Sequence, residues 1–454
     1  MIINHLGPLN AGEIQLKPLT ILTGANNQGK TYFSYFLYGI LKNSQSLLRG
    51  LIDDNEFEEL RANNKLFFRK SNFIVKLTNT ISNNIHKRKD AILEEAFHQK
   101  PGTFKDTEVH ISNEEFHELL RFVDIHSNTV HASGTSILLE STADGITLMI
   151  ANKDTQAKLQ ADELRIIIEF TLYSSIDLNI NTFYFPAERI GINVFRRQLN
   201  KNKIDMFDNM SKRLHLDNIA NNDSVSNELL QLKSQISSAY PEPIEDYLNY
   251  INGITEYKIN DTDNPLASYI RQHLIKGRFD VDPNTGESFY RSQSNEKIYE
   301  ENKLPLHVTS SSIKSIYGLD YFFETIDYKK QNVLIIDEPE MNLHPTNQLA
   351  FAKLLDMIVE SGIQTVISTH SDFLVRKIQN MMLHNKIYNR EQGLTPANVG
   401  VYNFENGSVR EIDLLDDNEA FNNFNDTVNE IEEEYLDLLE QLALKTSSEG
   451  ADDH

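Results

Sequence analysis

Residues 24–31 read Gly-Ala-Asn-Asn-Gln-Gly-Lys-Thr, two glycines followed by a lysine and a hydroxyl at the spacing that cradles a phosphate. Gly24 and Gly29 permit a tight loop whose backbone N–H groups converge on phosphate oxygens, and a helix opening near Lys30 adds the positive end of its dipole. In such a loop Lys30 reaches the β- and γ-phosphates of a nucleoside triphosphate, and the Thr31 hydroxyl holds Mg²⁺. Asn26, Asn27, Gln28 and Tyr32 complete the loop and its exit. A glycine turn before an ordinary helix meets the same pattern. The flanks argue against it, because Leu19, Ile21 and Leu22 form a strand-like run and residues 32–48 an amphipathic one.

A phosphate loop needs acids at the end of a neighbouring strand. Residues 333–340, Val-Leu-Ile-Ile-Asp-Glu-Pro-Glu, supply them. Asp337 is placed to hold Mg²⁺ through water, and Glu338 to orient or polarise the attacking water. Taken alone, the segment can also be read as a buried strand ending in a helix-capping aspartate, a reading that the upstream phosphate loop disfavours. A turn follows, then a helix over 347–360 and a β-branched strand over 365–369 that ends in His370. A histidine there can bond the γ-phosphate or the lytic water. His344, just before Pro345, is explained as well by helix entry.

The elements that must hold these residues are legible along the chain. Strand-like runs at 2–6 and 13–23 lead into the loop, and Phe33, Phe36, Leu37, Ile40 and Leu41 recur at helical spacing behind it. Further strands are predicted at 72–77 and 108–111, with a hairpin over 136–151 turning at Asp144-Gly145 and polar helices over 82–98 and 113–124. An apolar helix over 159–172 leads to a strand at 182–185. Residues 195–275 are Asn-rich and helical with breakers at Pro241 and Pro243, and a second hairpin over 278–292 turns at 283–286. A strand pair at 399–404 and 408–412 precedes an acidic helix over 418–444. The expected layout is an α/β head in two pieces, 1–194 and 301–412, with an inserted, mainly helical subdomain at 195–300 and an acidic tail at 413–454. No heptad array or internal repeat is visible.

Composition narrows the classes further. The 454 residues include no Cys, which excludes disulfides, thiolate zinc sites and cysteine nucleophiles. No run approaches eighteen apolar residues and the start of the chain reads as a strand, so a cytoplasmic protein without membrane segments is expected. Residues 411–454 hold fifteen acids and one lysine, so this tail carries −14 of the net −23. That balance disfavours continuous nucleic-acid binding and leaves two basic stretches, His86-Lys87-Arg88-Lys89 and the set Arg196, Arg197, Lys201, Lys203, Lys212 and Arg213, as local candidates.

Together the 24–31 loop, the 333–340 strand, the Asn342-Leu343-His344-Pro345 turn and Ser368-Thr369-His370-Ser371 resemble the motifs of ABC/SMC-type P-loop ATPase heads, most of all those of the OLD-like prokaryotic ATPases, many of which belong to phage-defence systems. The resemblance implies a mixed sheet with flanking helices and an antiparallel β subdomain, ATP and Mg²⁺ as cofactors, and catalysis by Glu338, His370 and Lys30 with Thr31 and Asp337 at the metal. It further implies that Thr309-Ser310-Ser311-Ser312 is the signature that completes the site of a second copy, with Ser310 and Ser312 facing its nucleotide. Ser312 stands where a glycine is usual, as does Asn27. By the same resemblance Phe185-Pro186-Ala187-Glu188-Arg189 occupies the metal- and water-sensing loop, with Arg189 on phosphate or in an ion pair. The implied assembly is a head-to-tail homodimer or higher homo-oligomer. OLD-like nucleases carry a further nuclease domain after the head, and the 84 residues beyond His370 leave no room for one, so a separately encoded effector nuclease or toxin is expected. The alternatives are an SMC-like DNA-maintenance ATPase that binds DNA directly and a scaffold that binds nucleotide without hydrolysing it.

Overall fold

The computed structural model describes residues 1–112, 123–132, 134–152, 160–196, 198–199, 240–254, 264–294, 297–416 and 432–439. A nine-stranded mixed sheet organises the molecule. Its strands β1 (Ile2–Leu6), β2 (Leu9–Glu13), β3 (Leu19–Gly24), β5 (Glu108–His110), β11 (Ile180–Phe185), β15 (Gln331–Asp337), β16 (Gln364–Ser368), β17 (Val399–Glu405) and β18 (Ser408–Ile412) lie in the order β11-β15-β16-β3-β17-β18-β2-β1-β5. The first five run parallel, so the carboxyl ends of β3, β15 and β16 meet along one edge. Ligands of open α/β sheets bind at that edge.

Both faces of the parallel part are covered, which is why β15 is buried at every position and apolar over 333–336. Val333 and Ile335 enter one core with Phe33, Phe36 and Leu37 of α1 (Lys30–Lys42), while Leu334 and Ile336 enter the other. That second core also takes Tyr247, Leu248 and Ile251 of the helix Glu242–Asn252 and the buried residues of the helices Ser311–Thr325, Pro345–Glu360 and Asp372–Ile387. The described part of 241–254 therefore packs directly against the sheet, and its Asp246 takes bonds from Tyr38 and Lys42 of α1.

A four-stranded antiparallel sheet, β4 (Lys65–Arg69), β9 (Gly145–Asn152), β8 (Thr135–Ser141) and β7 (Asn128–Ala132), stands beside the main one. Its β8–β9 hairpin spans the predicted stretch, with Ser136 opposite Ala151 and Ala143-Asp144 at the centre of the turn, one residue before the expected Asp144-Gly145. A two-stranded ladder joins β6 (Asp124–Ile125) to β10 (Ile176–Asp177), and β12 (Gly277–Val281), β13 (Ser288–Ser294) and β14 (Lys297–Pro305) form a third small sheet. Two expectations fail. Residues 72–77 are helical, inside α3 (Lys70–Phe97), because Phe73, Leu77, Ile81 and Ile85 repeat every four residues and bury one stripe. The 13–23 run is two strands interrupted before Leu19: β2 and β3 occupy distant places in the sheet, so the chain must cross between them, and Pro18 sits in the crossing. The amphipathic run after the loop ends as α-helix at Lys42 and continues as a 3₁₀ turn, Ser44–Leu48. The predicted helix at 113–124, most of the Asn-rich stretch and most of the acidic helix fall outside the described residues, except that Asp124 is in β6 and 432–439 are helical. Among the described residues no helix is long and apolar enough to cross a membrane.

Candidate functional site

The site begins where β3 turns into α1. Gly24 has φ 120°, and a Cβ there would lie 2.2 Å from the Phe404 carbonyl oxygen of neighbouring β17, so only glycine fits. Gly29, at φ 105°, caps α1. Asn27 has φ 62°, a left-handed conformation that asparagine tolerates better than most side chains, which accounts for its standing in a glycine's place. The ammonium of Lys30 folds back across the loop and donates to the carbonyls of Gly24 and Ala25, each at 2.8 Å. Thr31 opens the first turn of α1 with an exposed side chain, and Tyr32 packs on Phe97 with ring centroids 4.8 Å apart.

Across from this loop stand the ends of β15 and β16. Asp337 is buried; Ser368 Oγ donates to its Oδ1 at 2.7 Å and the Tyr184 hydroxyl to its Oδ2. The next residue, Glu338, has φ 46°, and its N–H donates to the Ser368 carbonyl at 3.0 Å. This left-handed backbone breaks the strand abruptly and turns the chain at its second carboxylate. The His370 N–H donates to Glu340 Oε1 at 2.8 Å, which ties the end of β16 to the turn after β15. A cleft of about 300 Å³ is lined by the 26–32 segment on one side and by Asp337, Glu338, Ser368 and His370 on the other. Glu188 and Tyr35 line it as well.

A family model described as the AAA ATPase domain matches residues 1–375. The chain belongs to the AAA ATPase domain family. Solved structures similar to this AAA ATPase include the Smc head domain with an extended coiled coil bound to the C-terminal domain of ScpA from Pyrococcus furiosus, at 14% identity over 97% of this chain and 98% of that one with TM-score 0.31. Others are an SmcHead bound to the C-winged helix domain of ScpA, at 12% identity, 90% and 95% coverage and TM-score 0.34, and the SMC head domain from Thermotoga maritima, at 10%, 90%, 96% and 0.30. No curated protein matches the chain.

Charges in the cleft of the AAA ATPase are poised against burial. Burial raises the Asp337 carboxyl, and Glu188 and Glu338 raise it further, against the lowering effect of the bonds from Tyr184 and Ser368. Burial likewise lowers Lys30, although Glu338, Asp337 and Glu340 pull it back up. An excess of acid around one lysine and an exposed threonine hydroxyl is the donor chemistry of a hard divalent cation. Among the described residues no group of three or more acids and histidines is arranged to hold a metal by itself. Mg²⁺ typically takes one or two protein carboxylates and completes its shell with phosphates and water, so Thr31 and Asp337 fit it together with a nucleotide. His370 is lowered by burial and then by Lys30, with Glu338 opposing, so its imidazole is neutral at neutral pH.

Three of the sequence-predicted residues lie elsewhere. Ser310 and Ser312 stand at the start of the helix Ser311–Thr325, outside the cleft, with Ser310 Oγ accepting from Ile313 N–H at 3.3 Å as the N-cap. Arg189 is neither a lining residue nor an ion-pair partner at the strand end; it is buried and donates only to main-chain carbonyls. Its neighbour Glu188 takes the place in the cleft, and the strand-to-loop position of both residues is the signal that could have found it. His344 is occupied as the cap of the helix Pro345–Glu360. Tyr184, which holds Asp337 with Ser368, had no motif to announce it, and Ser368 lay in the 368–371 motif without a role of its own. Of the second basic stretch, Arg196 is buried on the Ile251 and Gly286 carbonyls and Ser288 Oγ, and its other five members fall outside the described residues.

Proposed function

We propose that this AAA ATPase binds Mg·ATP across the 24–32 loop and hydrolyses it in a head-to-tail pair, as the sensor or regulator of a separately encoded effector nuclease or toxin in anti-phage defence. The observation that carries the reading is the convergence of Lys30, Thr31, Asp337, Glu338 and His370 on one cleft while Ser310 and Ser312 remain outside it. In this reading Lys30 releases the loop carbonyls and takes the β- and γ-phosphate oxygens. Glu338 polarises the attacking water and neutral His370 bonds the γ-phosphate or that water. Thr31 and Asp337 would hold Mg²⁺, which would supply positive charge against the phosphates. Ser310 and Ser312 of a second copy supply hydroxyls on the remaining side of the γ-phosphate, so hydrolysis removes the bridge between the two chains.

The pairing and the effector are drawn from the motif resemblance to OLD-like ATPases. Light scattering of the purified full chain with Mg·ATP tests the pairing: Glu338→Gln should accumulate as an ATP-bound pair, and a monomer at saturating nucleotide rejects it. Robust nuclease activity of the protein alone, abolished by the same substitution, would overturn the division of labour between ATPase and effector.

A further inference from the structure

The least expected feature of the site lies just behind it. Arg189 opens a helical segment, 189–196, and its guanidinium makes five bonds with its five N–H groups. Nη1 donates to the Asp337 carbonyl at 2.7 Å and the Pro186 carbonyl at 3.1 Å, Nη2 to those of Glu338 at 2.9 Å and Pro339 at 3.3 Å, and Nε to that of Ser315 at 3.2 Å. Three successive carbonyls of the 337–339 turn thus converge on one cation. Such a concavity is electron-rich and keeps its shape only while a cation fills it. Arginine keeps its proton in a protein, so the buried charge must stay paired.

The acceptors come from three segments, each of which carries a group of the site. Pro186 belongs to the loop that brings Glu188 to the cleft, and the 337–339 turn carries both strand-end acids. Ser315 is in the first turns of the helix capped by Ser310, which we number α7 after α2 (Asp54–Asn63), α4 (Ala161–Ser175), α5 (Glu242–Asn252) and α6 (Pro265–Tyr269). Asn193, one turn beyond Arg189, donates to the Lys314 carbonyl at 2.8 Å, so the 189–196 segment grips α7 twice but the acidic turn only through Arg189. Besides the apolar packing of α7 on β15, movement of α7 by a partner engaging Ser310 and Ser312 is thereby passed to the Glu338 turn through the hydrogen bonds of Arg189.

We propose that Arg189 is a positioning residue that makes the shape of the 337–339 turn depend on the placement of α7, so that hydrolysis, and not nucleotide capture, relies on it. The proposal rests on the ATPase reading above. Lysine cannot replace this fork, since one ammonium offers three donors from a single nitrogen. Arg189→Lys in the full chain should therefore keep ATP affinity and KM within about threefold of the wild type and lower kcat about 30- to 100-fold, the scale of a small misplacement of a reacting group. Hydrogen exchange should quicken in both 312–319 and 338–343, while ATP still protects 25–32. Asn193→Ala, which releases the Lys314 carbonyl and the Tyr247 hydroxyl but no group of the 337–339 turn, should leave kcat within about threefold.

Unchanged kcat in Arg189→Lys overturns the proposal, as does an equal loss in Asn193→Ala. Affinity that falls in step with kcat would return Arg189 to the phosphate. Loss of a cooperative melt in both Arg189→Lys and Arg189→Gln would make it a residue of the fold and also overturn the idea. Should the wild type bind ATP without turnover, the ATPase reading fails; the exchange pattern then still decides, and exchange in the two segments that stays at the wild-type rate rejects the role of Arg189.

Discussion

The cleft at the strand ends and the exposed start of α7 both present hydroxyls at a helix N-terminus, yet they are built differently. In the cleft, charges are withdrawn from water and held against one another: burial lowers Lys30, raises Asp337 and keeps His370 neutral. At α7 the serines carry no charge and the cap is already satisfied by Ile313 N–H. A site of the first kind gains from any ligand that brings phosphate and a cation. A site of the second kind can meet another surface without a large desolvation cost, which suits it to transient engagement.

The comparison can be broken most forcefully at Glu338. Glu338→Gln should lower steady-state ATP hydrolysis by about 10²–10⁴-fold with nucleotide still bound, the range for removing a general base; a rate near that of the wild type would place the chemistry outside the cleft. Lys30→Ala should weaken ATP binding by roughly 10- to 150-fold in a titration, as expected for losing charge-assisted bonds, whereas Ser310→Ala should leave the affinity of a single chain unchanged. Equal losses from the two would erase the contrast. Gly24→Ala forces a Cβ onto the Phe404 carbonyl and should cost about 3 kcal/mol in a denaturant melt. Ser310→Ala removes only a cap, worth about 1 kcal/mol by the same measurement.

The smallest effect is a pH dependence. Because the folded pKa of His370 lies below its unfolded value near 6.5, the unfolded chain takes up a proton first as the pH falls. The stability contributed by neutral His370 is complete above about pH 6.5 and is lost as the pH drops through the depressed folded value. A melt series from pH 7.5 to about 5 should show this slope, and His370→Gln should remove it.

Much of the frame was legible because its signals are local. A fully buried parallel strand must be apolar throughout, and 333–336 are; a loop held at φ 120° against a neighbouring carbonyl must be glycine, and Gly24 is. The failures share another cause. Residues 72–77 contain the same apolar types as a strand, and only the four-residue recurrence continued through Ile85 distinguishes the helix. For Arg189 the motif resemblance offers phosphate or an ion pair, while its partners in the structure are main-chain carbonyls from residues as far away as 339. Backbone acceptors leave no trace in side-chain types. The bonds of Tyr184 and Ser368 to Asp337 were invisible for a related reason: each forms only once parallel strands distant in sequence lie side by side.

The sheet order also has a consequence for how the protein is made. β3, which ends in the phosphate loop, lies between β16 and β17, and the carbonyl that presses on Gly24 belongs to Phe404. A ribosome has therefore released β3 long before the strand that braces it exists, and a nascent chain shorter than about 405 residues cannot hold the loop between both neighbours. Nucleotide capture should appear late in synthesis and abruptly, when β17 and β18 insert beside strands made at the very beginning. Until then β3 waits for β17 and β2 for β18, each with an open edge on the growing chain, which makes these two early strands the segments most in need of protection by a chaperone.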